Sequence, residues 1–188
     1  LQYHFGFDES TVMANQAQLH FDNSTFDIYG CLQCGGRLVL TPEPLLMFPA
    51  SLPEFLAEKQ VTSIFWVPTV MISLANSGAL EGVELPRLKH VSFCGEVMPN
   101  AQLNIWRREL PHCIYTNLYG PTEVTVVCCY YTVDRQFADS DPLPIGRACE
   151  NMRVIVLGDD GKPSPTGEKG ELCVMGSGVA LGYYNEPE

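Results

Sequence analysis

Basic residues are scarce in this chain: 11 Lys+Arg stand against 22 Asp+Glu in 188 residues, a formal charge of −11 and a pI near 4.7. A nucleic-acid groove needs clustered Lys and Arg to release counterions from phosphates, so nucleic acid is excluded as a partner. Long apolar runs are lacking as well. The most apolar stretch, 63–75, falls short of the roughly 20 residues a helix needs to cross a bilayer, and no membrane span is expected. Residues 1–7 carry neither the basic start nor the apolar run of a secretory signal. Histidine is limited to positions 4, 20, 90 and 112, with no His-x-x-x-His spacing for a zinc site. Internal repeats and low-complexity tracts are absent.

What the chain does have is core material. Apolar residues make up 46% and aromatics 10%, which excludes a disordered chain and suits one domain of ordinary size. Eight cysteines lie at 31, 34, 94, 113, 128, 129, 149 and 173. An even count invites a disulfide framework, but several sit inside apolar runs of a long, core-rich chain. Free, buried thiols in a reducing cytoplasm are the better account. Cys128 and Cys129 are adjacent, and on a strand they would point to opposite faces. Cys31 and Cys34 have metal or redox spacing without a second pair.

Hydrophobic periodicity gives alternating strands and helices through the first two thirds. Strands are expected at 17–21, 37–40, 63–66, 90–93 and 113–117. Ser51 and Glu54 have capping-box spacing for a helix running to about Lys59. A second helix follows Pro68-Thr69 and stops near Gly78, and a third opens at Pro99 with Leu103, Trp106 and Leu110 on one side. Strands joined by helices imply parallel pairing through right-handed crossovers. After Glu123 the texture changes, and strands are expected at 124–132, 153–157 and 171–175 with turns between. The fold class is therefore α/β: a doubly wound, largely parallel sheet over 1–123, followed by a β-rich continuation over 124–188.

Four segments carry candidate chemistry. In Tyr115-Thr-Asn-Leu-Tyr-Gly-Pro-Thr-Glu-Val124 a strand ends in a Gly-Pro turn followed by a hydroxyl and a carboxylate. Ligands of open α/β sheets bind beyond the carboxyl ends of strands. Thr122 could donate to a phosphate and Glu123 could hold Mg2+. Tyr119 could stack on a base and Asn117 could read a purine edge; a loop with a helix-cap threonine fits equally. In His20-Phe-Asp-Asn-Ser-Thr-Phe-Asp-Ile-Tyr29, Asp22 lies at the end of an apolar strand, where an unpaired carboxylate is costly. It either meets nearby amides or waits for a cation, and Asn23 or Ser24 as a simple N-cap is the plainer reading. Asp27 is expected on a helix surface or in a structural hydrogen bond. Ser92-Phe-Cys-Gly-Glu-Val-Met-Pro99 is a strand, a glycine and a helix start, with Gly95 permitting close backbone approach and Cys94 a core thiol or pocket wall. The last segment, 170–188, is glycine-rich but lacks both Gly-x-Gly-x-x-Gly and Gly-Lys-Ser/Thr.

Taken in order, Phe21-Asp22-Asn-Ser24, Gly95-Glu96, Tyr119-Gly-Pro-Thr-Glu123 and Gly170-Glu-Leu…Gly182-Tyr183…Pro187-Glu188 resemble the core motifs of amino-acid adenylation domains. These belong to the AMP-forming adenylate superfamily. Asn15-Gln-Ala17, Phe26-Asp-Ile-Tyr29, Phe93-Cys-Gly-Glu-Val-Met-Pro-Asn100 and Gly167-Glu-Lys-Gly-Glu171 are most similar to D-alanine–carrier-protein ligases. Adenylation domains of nonribosomal peptide synthetases are the near alternative.

The resemblance implies activation of an amino acid with ATP and Mg2+ as an aminoacyl-adenylate, then transfer to the phosphopantetheine thiol of a carrier protein. By the same resemblance, Asp22 would pair with the substrate ammonium. Asn117, Tyr119, Gly120 and the Gly95-Glu96 backbone would flank adenine, Thr122 would contact the α-phosphate, and Glu123 would hold magnesium. Asn23, Phe26, Phe65, Ser92, Cys94, Leu118, Val126 and Val127 would line the side-chain pocket, whose bulk favours a small amino acid.

A lysine-bearing phosphate loop upstream and a hinge and C-terminal domain downstream would complete such an enzyme. The chain would then be a subdomain of a larger adenylate-forming N-terminal domain, inactive alone, with apolar faces and strand edges that invite self-association. Two rival readings stand beside this one. An acyl-CoA synthetase-type ligase would need no carboxylate at position 22, and a non-catalytic or metal-binding module would use Cys31 and Cys34.

Overall fold

The computed structural model describes residues 5–186; positions 1–4 and the Pro187-Glu188 end of the last motif lie outside them. Its centre is a seven-stranded sheet in the order β2-β1-β3-β4-β5-β6-β7. The strands are β1 (Val12–Asn15), β2 (Arg37–Leu40), β3 (Ser63–Trp66), β4 (His90–Phe93), β5 (Ile114–Tyr119), β6 (Cys129–Thr132) and β7 (Arg147–Ala148). β1 to β5 pair in parallel, and β6 and β7 add antiparallel at one edge. A separate antiparallel pair, β8 (Met152–Leu157) and β9 (Glu171–Gly176), follows.

Alternation along the central strands divides the core. Val12, Ala14, Ile64, Trp66, Val91 and Phe93 face one side. There they meet α3 (Leu52–Glu58), α4 (Pro68–Asn76) and α5 (Asn100–Glu109) through Leu56, Leu74, Leu103 and Trp106. Met13 and Phe65 face the other side, where α1 (Asn23–Cys34) supplies Phe26 and Cys31. A short α2 (Glu43–Met47) links β2 to α3. Helices on both faces of a mostly parallel sheet make this the doubly wound fold expected. Two tryptophans fix the layers: Trp66 Nε1 donates to the Ala14 carbonyl at 3.1 Å and Trp106 Nε1 to that of Met71 at 3.0 Å.

Several local expectations change. The first strand is Val12–Asn15, not 17–21. Its four residues are all buried, as befits a parallel strand covered on both faces, which reads as a continuous run rather than an alternation. The alternating residues at 17–21 form a loop with Leu19 and Phe21 66% and 56% exposed. Asp22 therefore ends no strand; it is the residue before α1.

Ser51 makes no capping hydrogen bond, because a 3-10 turn over Pro49–Ser51 leads directly into α3. Gly78 does take the left-handed conformation expected past α4, with φ +73. The run 124–132 is strand only from Cys129. Before it come a 3-10 turn, Thr122–Val124, and positive φ at Thr125 and Val126. Cys128 thus precedes the strand, and it and Cys129 are buried in one cluster rather than on opposite faces.

Candidate functional site

The parallel strands run in the order 2-1-3-4-5. In such sheets ligands bind beyond the carboxyl ends of the strands, with the topological switch between the first and third. Both clefts that gather the expected residues open at this end. One, about 500 Å³, lies over the β1–β3 switch and is lined by Gln16, Phe21, Asp22, Asn23, Val67 and Glu96, among others. The second, about 360 Å³, lies over β4 and β5 and takes in Gly95, Glu96, Asn117, Leu118, Tyr119 and Gly120. Glu96 belongs to both.

In the first cleft the decisive group is Asp22. Ser24 Oγ donates to the Phe21 carbonyl at 2.8 Å, and Thr25 Oγ1 to the Asp22 carbonyl at 2.6 Å. The Asp22 side chain makes no capping bond, so neither it, Asn23 nor Ser24 acts as a side-chain N-cap. Among the described residues its carboxylate has no hydrogen bond or ion pair, and Asp22 lines a cleft whose charged lining residues are Asp22, Glu43 and Glu96, all acidic. Such a surround suits an ammonium group. Glu96 is held in place: its Oε2 accepts from the Thr69 hydroxyl at 2.5 Å and the Thr69 amide at 3.1 Å. Gly95 has φ +102, which an L side chain rarely adopts.

In the second cleft, Asn117 donates its amide to the Pro144 carbonyl at 2.8 Å, drawing Leu143 and Ile145 over the cleft. Tyr119 presents a ring 39% exposed. Gly120 is required where it stands, since a Cβ there would lie 2.6 Å from the Val126 carbonyl oxygen and 2.7 Å from the Val127 Cα.

Thr122 and Glu123 follow on the 3-10 turn and are exposed. The Tyr183 hydroxyl donates to Glu123 Oε1 at 2.6 Å. That bond, with Glu123's own amide, holds its carboxyl below the usual carboxylate range, and the same bond pushes the Tyr183 phenol up.

The remaining expected residues form a wall rather than an open cavity. Phe26, Phe65, Cys94, Leu118, Val126 and Val127 pack in one cluster. The Phe26 and Phe65 rings sit 4.5 Å apart. Burial pushes the Cys94 thiol up to about 11, which rules against a resting thiolate nucleophile there. Ser92 is buried, and its hydroxyl has no partner among the described residues.

Asp27 meets the second of its two expectations, a structural hydrogen bond. It is fully buried, not on the helix surface. Its Oδ2 accepts from Asn15 Nδ2 at 2.9 Å and its Oδ1 has no partner among the described residues. Burial raises its carboxyl to about 8, and the hydrogen bond from Asn15 opposes that rise.

Sequence reasoning missed Gln16, Glu43, Val67, Leu143 and Ile145 as cleft residues. A readable signal existed only for Leu143 and Ile145, apolar residues set between prolines and a glycine in an otherwise polar stretch.

A divalent cation can be tested against this donor set. Among the described residues no three His, Cys, Asp or Glu converge, so neither Cys31 and Cys34 nor Glu123 belongs to an all-protein cage. Mg2+ does not need one: it is commonly held by one or two carboxylates, waters and substrate phosphates. A carboxylate offers about four lone-pair positions. Glu123, exposed and engaged by Tyr183 on Oε1, fits that mode.

An open, mostly parallel α/β sheet with two adjoining clefts at its carboxyl edge is the arrangement of a ligand-binding doubly wound protein. The chain belongs to the AMP-binding enzyme family, whose model matches residues 1–184. It is similar to the D-alanine--D-alanyl carrier protein ligase of Bacillus cereus (strain G9842), 31% identical over 185 residues, covering 98% of this chain and 37% of the ligase. The counterpart in Bacillus cytotoxicus is 33% identical over 188 residues. The chain thus spans a little over a third of these relatives' length.

Solved structures agree. A nonribosomal peptide synthetase, FmoA3, superposes over 100% of this chain and 20% of its own with TM-score 0.91 and 27% identity. The Vibrio cholerae adenylation domain AlmE, in complex with glycyl-adenosine-5'-phosphate, covers 99% of this chain and 35% of its own with TM-score 0.87 and 29% identity.

Proposed function

We propose that this chain is the central, acceptor-side part of an ATP-dependent amino-acid-activating ligase. The substrate carboxylate attacks the α-phosphorus of ATP, pyrophosphate leaves, and an aminoacyl-adenylate forms. A carrier protein's phosphopantetheine thiol then attacks the acyl carbon, AMP leaves, and a thioester results. No protein nucleophile is needed; positioning and charge neutralisation carry the rate.

The observation that carries this reading is Asp22: a carboxylate at the switch-point cleft, not engaged by its helix and surrounded by acidic groups. It binds and orients the substrate ammonium. Tyr119, Asn117, Gly120 and the Gly95-Glu96 backbone hold the adenine, and Thr122 donates to the α-phosphate. Asn23, Phe26, Phe65, Ser92, Cys94, Leu118, Val126 and Val127 bound the side chain. Glu123 would hold Mg2+, which when bound neutralises phosphate charge. Eight free cysteines suit a reducing compartment, and we place the enzyme in the cytoplasm.

The test is ATP–pyrophosphate exchange by the full-length protein with small D- and L-amino acids. Glycine and D-alanine are included because similar proteins carry them in their names. Exchange is expected with an amino acid. A charged hydrogen bond contributes about 1.5–3 kcal/mol, so Asp22→Ala should lower kcat/KM by roughly 10- to 100-fold. Exchange only with a fatty or aryl acid, or unchanged kinetics of Asp22→Ala, would refute the assignment.

A further inference from the structure

Glu123 sits on a single 3-10 turn whose one contribution to aiming the exposed carboxylate is Glu123's own amide. The segment after β9 does so from far along the chain. The Ala180 amide donates to the Glu123 carbonyl at 2.7 Å, Thr125 Oγ1 donates to the Gly178 carbonyl at 2.7 Å, and Tyr183 Oη donates to Glu123 Oε1 at 2.6 Å. Gly178 comes so close that a Cβ there would lie 2.9 Å from the Val124 carbonyl oxygen. One segment therefore grips both the backbone and the side chain of the turn.

The turn needs gripping. Thr125 and Val126 stand at φ +60 and +71, a region β-branched residues occupy only when their surroundings impose it. A 2.6 Å O–H···O⁻ contact is the length of a charge-assisted bond, stronger and more directional than a neutral one.

We infer that Tyr183 is a positioning residue for Glu123: its hydroxyl fixes the direction of the Glu123 carboxylate and so sets how firmly a divalent cation is held beside the nucleotide. The inference rests on the reading of Glu123 as the cation-holding group. Partners that hydrogen-bond a metal-ligating side chain are worth about 10- to 100-fold in metal affinity. Both groups here are exposed to solvent, which puts the expectation at the low end.

The test uses the full-length protein with Tyr183→Phe, which keeps the ring and removes only the hydroxyl. Binding of Mn2+–ATP is followed by electron paramagnetic resonance, and the Mg2+ dependence of pyrophosphate exchange is measured alongside. Expected are about tenfold weaker Mn2+–ATP binding and a matching rise in the Mg2+ needed for half-maximal exchange, with KM for the amino acid and the thermal midpoint unchanged. Tyr184→Phe, at a ring 93% exposed, should change neither.

Wild-type-like metal dependence in Tyr183→Phe overturns the inference alone. So does a loss of metal affinity, amino-acid KM and thermal midpoint together, which marks a merely structural residue. A wild-type protein that exchanges pyrophosphate yet binds Mn2+–ATP no better than Glu123→Gln overturns the reading of Glu123 and the inference with it.

Discussion

Replacing Asp27 by asparagine keeps the shape of a fully buried side chain and removes its titration. In the folded protein the Asp27 carboxyl holds its proton up to about 8, against an ordinary value of 3.8, because burial penalises the charged form. Between those two values the native state binds more protons than the unfolded state, so stability falls as pH rises. The contribution is fully present below 3.8, is lost progressively up to about 8, and is flat beyond. At about 1.36 kcal/mol per unit, the part lost by pH 7 is roughly 4 kcal/mol. The Asp27→Asn variant has no such loss, but its amide brings hydrogens to the place where Asp27 Oδ1 has no partner among the described residues, at a cost of about 1–3 kcal/mol.

The two effects have different pH dependence, which makes the experiment sharp. Urea denaturation of wild type and Asp27→Asn across pH 4 to 8 should show the variant less stable at the acid end and more stable at the alkaline end. Titrations common to both proteins cancel in the difference, which should climb by about 1.4 kcal/mol per pH unit between pH 5 and 7. A difference that stays constant over that range would mean that Asp27 titrates normally and is reached by water. The claim of a buried, proton-bearing carboxyl would then fall.

Two other predictions concern the same architecture. Burial pushes the thiols of Cys31, Cys94 and Cys149 up to about 11 and those of Cys113 and Cys129 up to about 12, and raises that of Cys128. Iodoacetamide near neutral pH should therefore label the partly exposed Cys34 and Cys173 first, and all eight only after denaturation; a lower denatured count would expose a disulfide. Gly120→Ala should lower the thermal midpoint through about 1–3 kcal/mol of overpacking, because the new Cβ meets backbone atoms of residues 126–128 that have no rotamer to move. An unchanged midpoint would mean that the turn is looser than it stands.

The parallel layer was legible because each of its central strands is short, apolar and bounded by helix signals. Ser63–Trp66 and His90–Phe93 have the bounds read from the sequence. β1 was misplaced by five residues because burial on both faces erases the alternation that strand reading depends on. The run 124–132 misled for a different reason. Its β-branched residues favour strand locally, yet Thr125 and Val126 are turned to positive φ where contacts from Gly178 and Ala180 hold the turn.

Asp27 could have been found. Ser24, Asp27 and Cys31 are the buried residues of α1, spaced three and four apart, the signature of one helix face. Their small or polar character hid that face from a hydrophobicity pattern. The resemblance named Asp22 and Glu123, but what frees the one and steers the other depends on residues whose role no local pattern announces.

The two clefts constrain where the reaction we propose can occur. On that proposal Asp22 would anchor one end of the substrate over the switch between β1 and β3, and Tyr119 and Thr122 stand beyond β5. An acyl carbon joined to both an ammonium-bearing carbon and an adenylate phosphate must bridge them, and Gly95 and Glu96, beyond β4, lie between. A Cβ on Gly95 would meet Val67 Cγ1 at 3.9 Å and Asn23 Nδ2 at 4.0 Å, ordinary contacts that a larger residue could survive. Its φ of +102 is what demands glycine. Gly95 is thus set by its backbone conformation rather than by crowding, and it lines the second cleft beside Glu96, which lines both and is tied down by Thr69. On the proposed reading the orienting groups would come from the loops after β1, β4 and β5, so the substrate would be aligned by the sheet's edge as a whole rather than by any one motif.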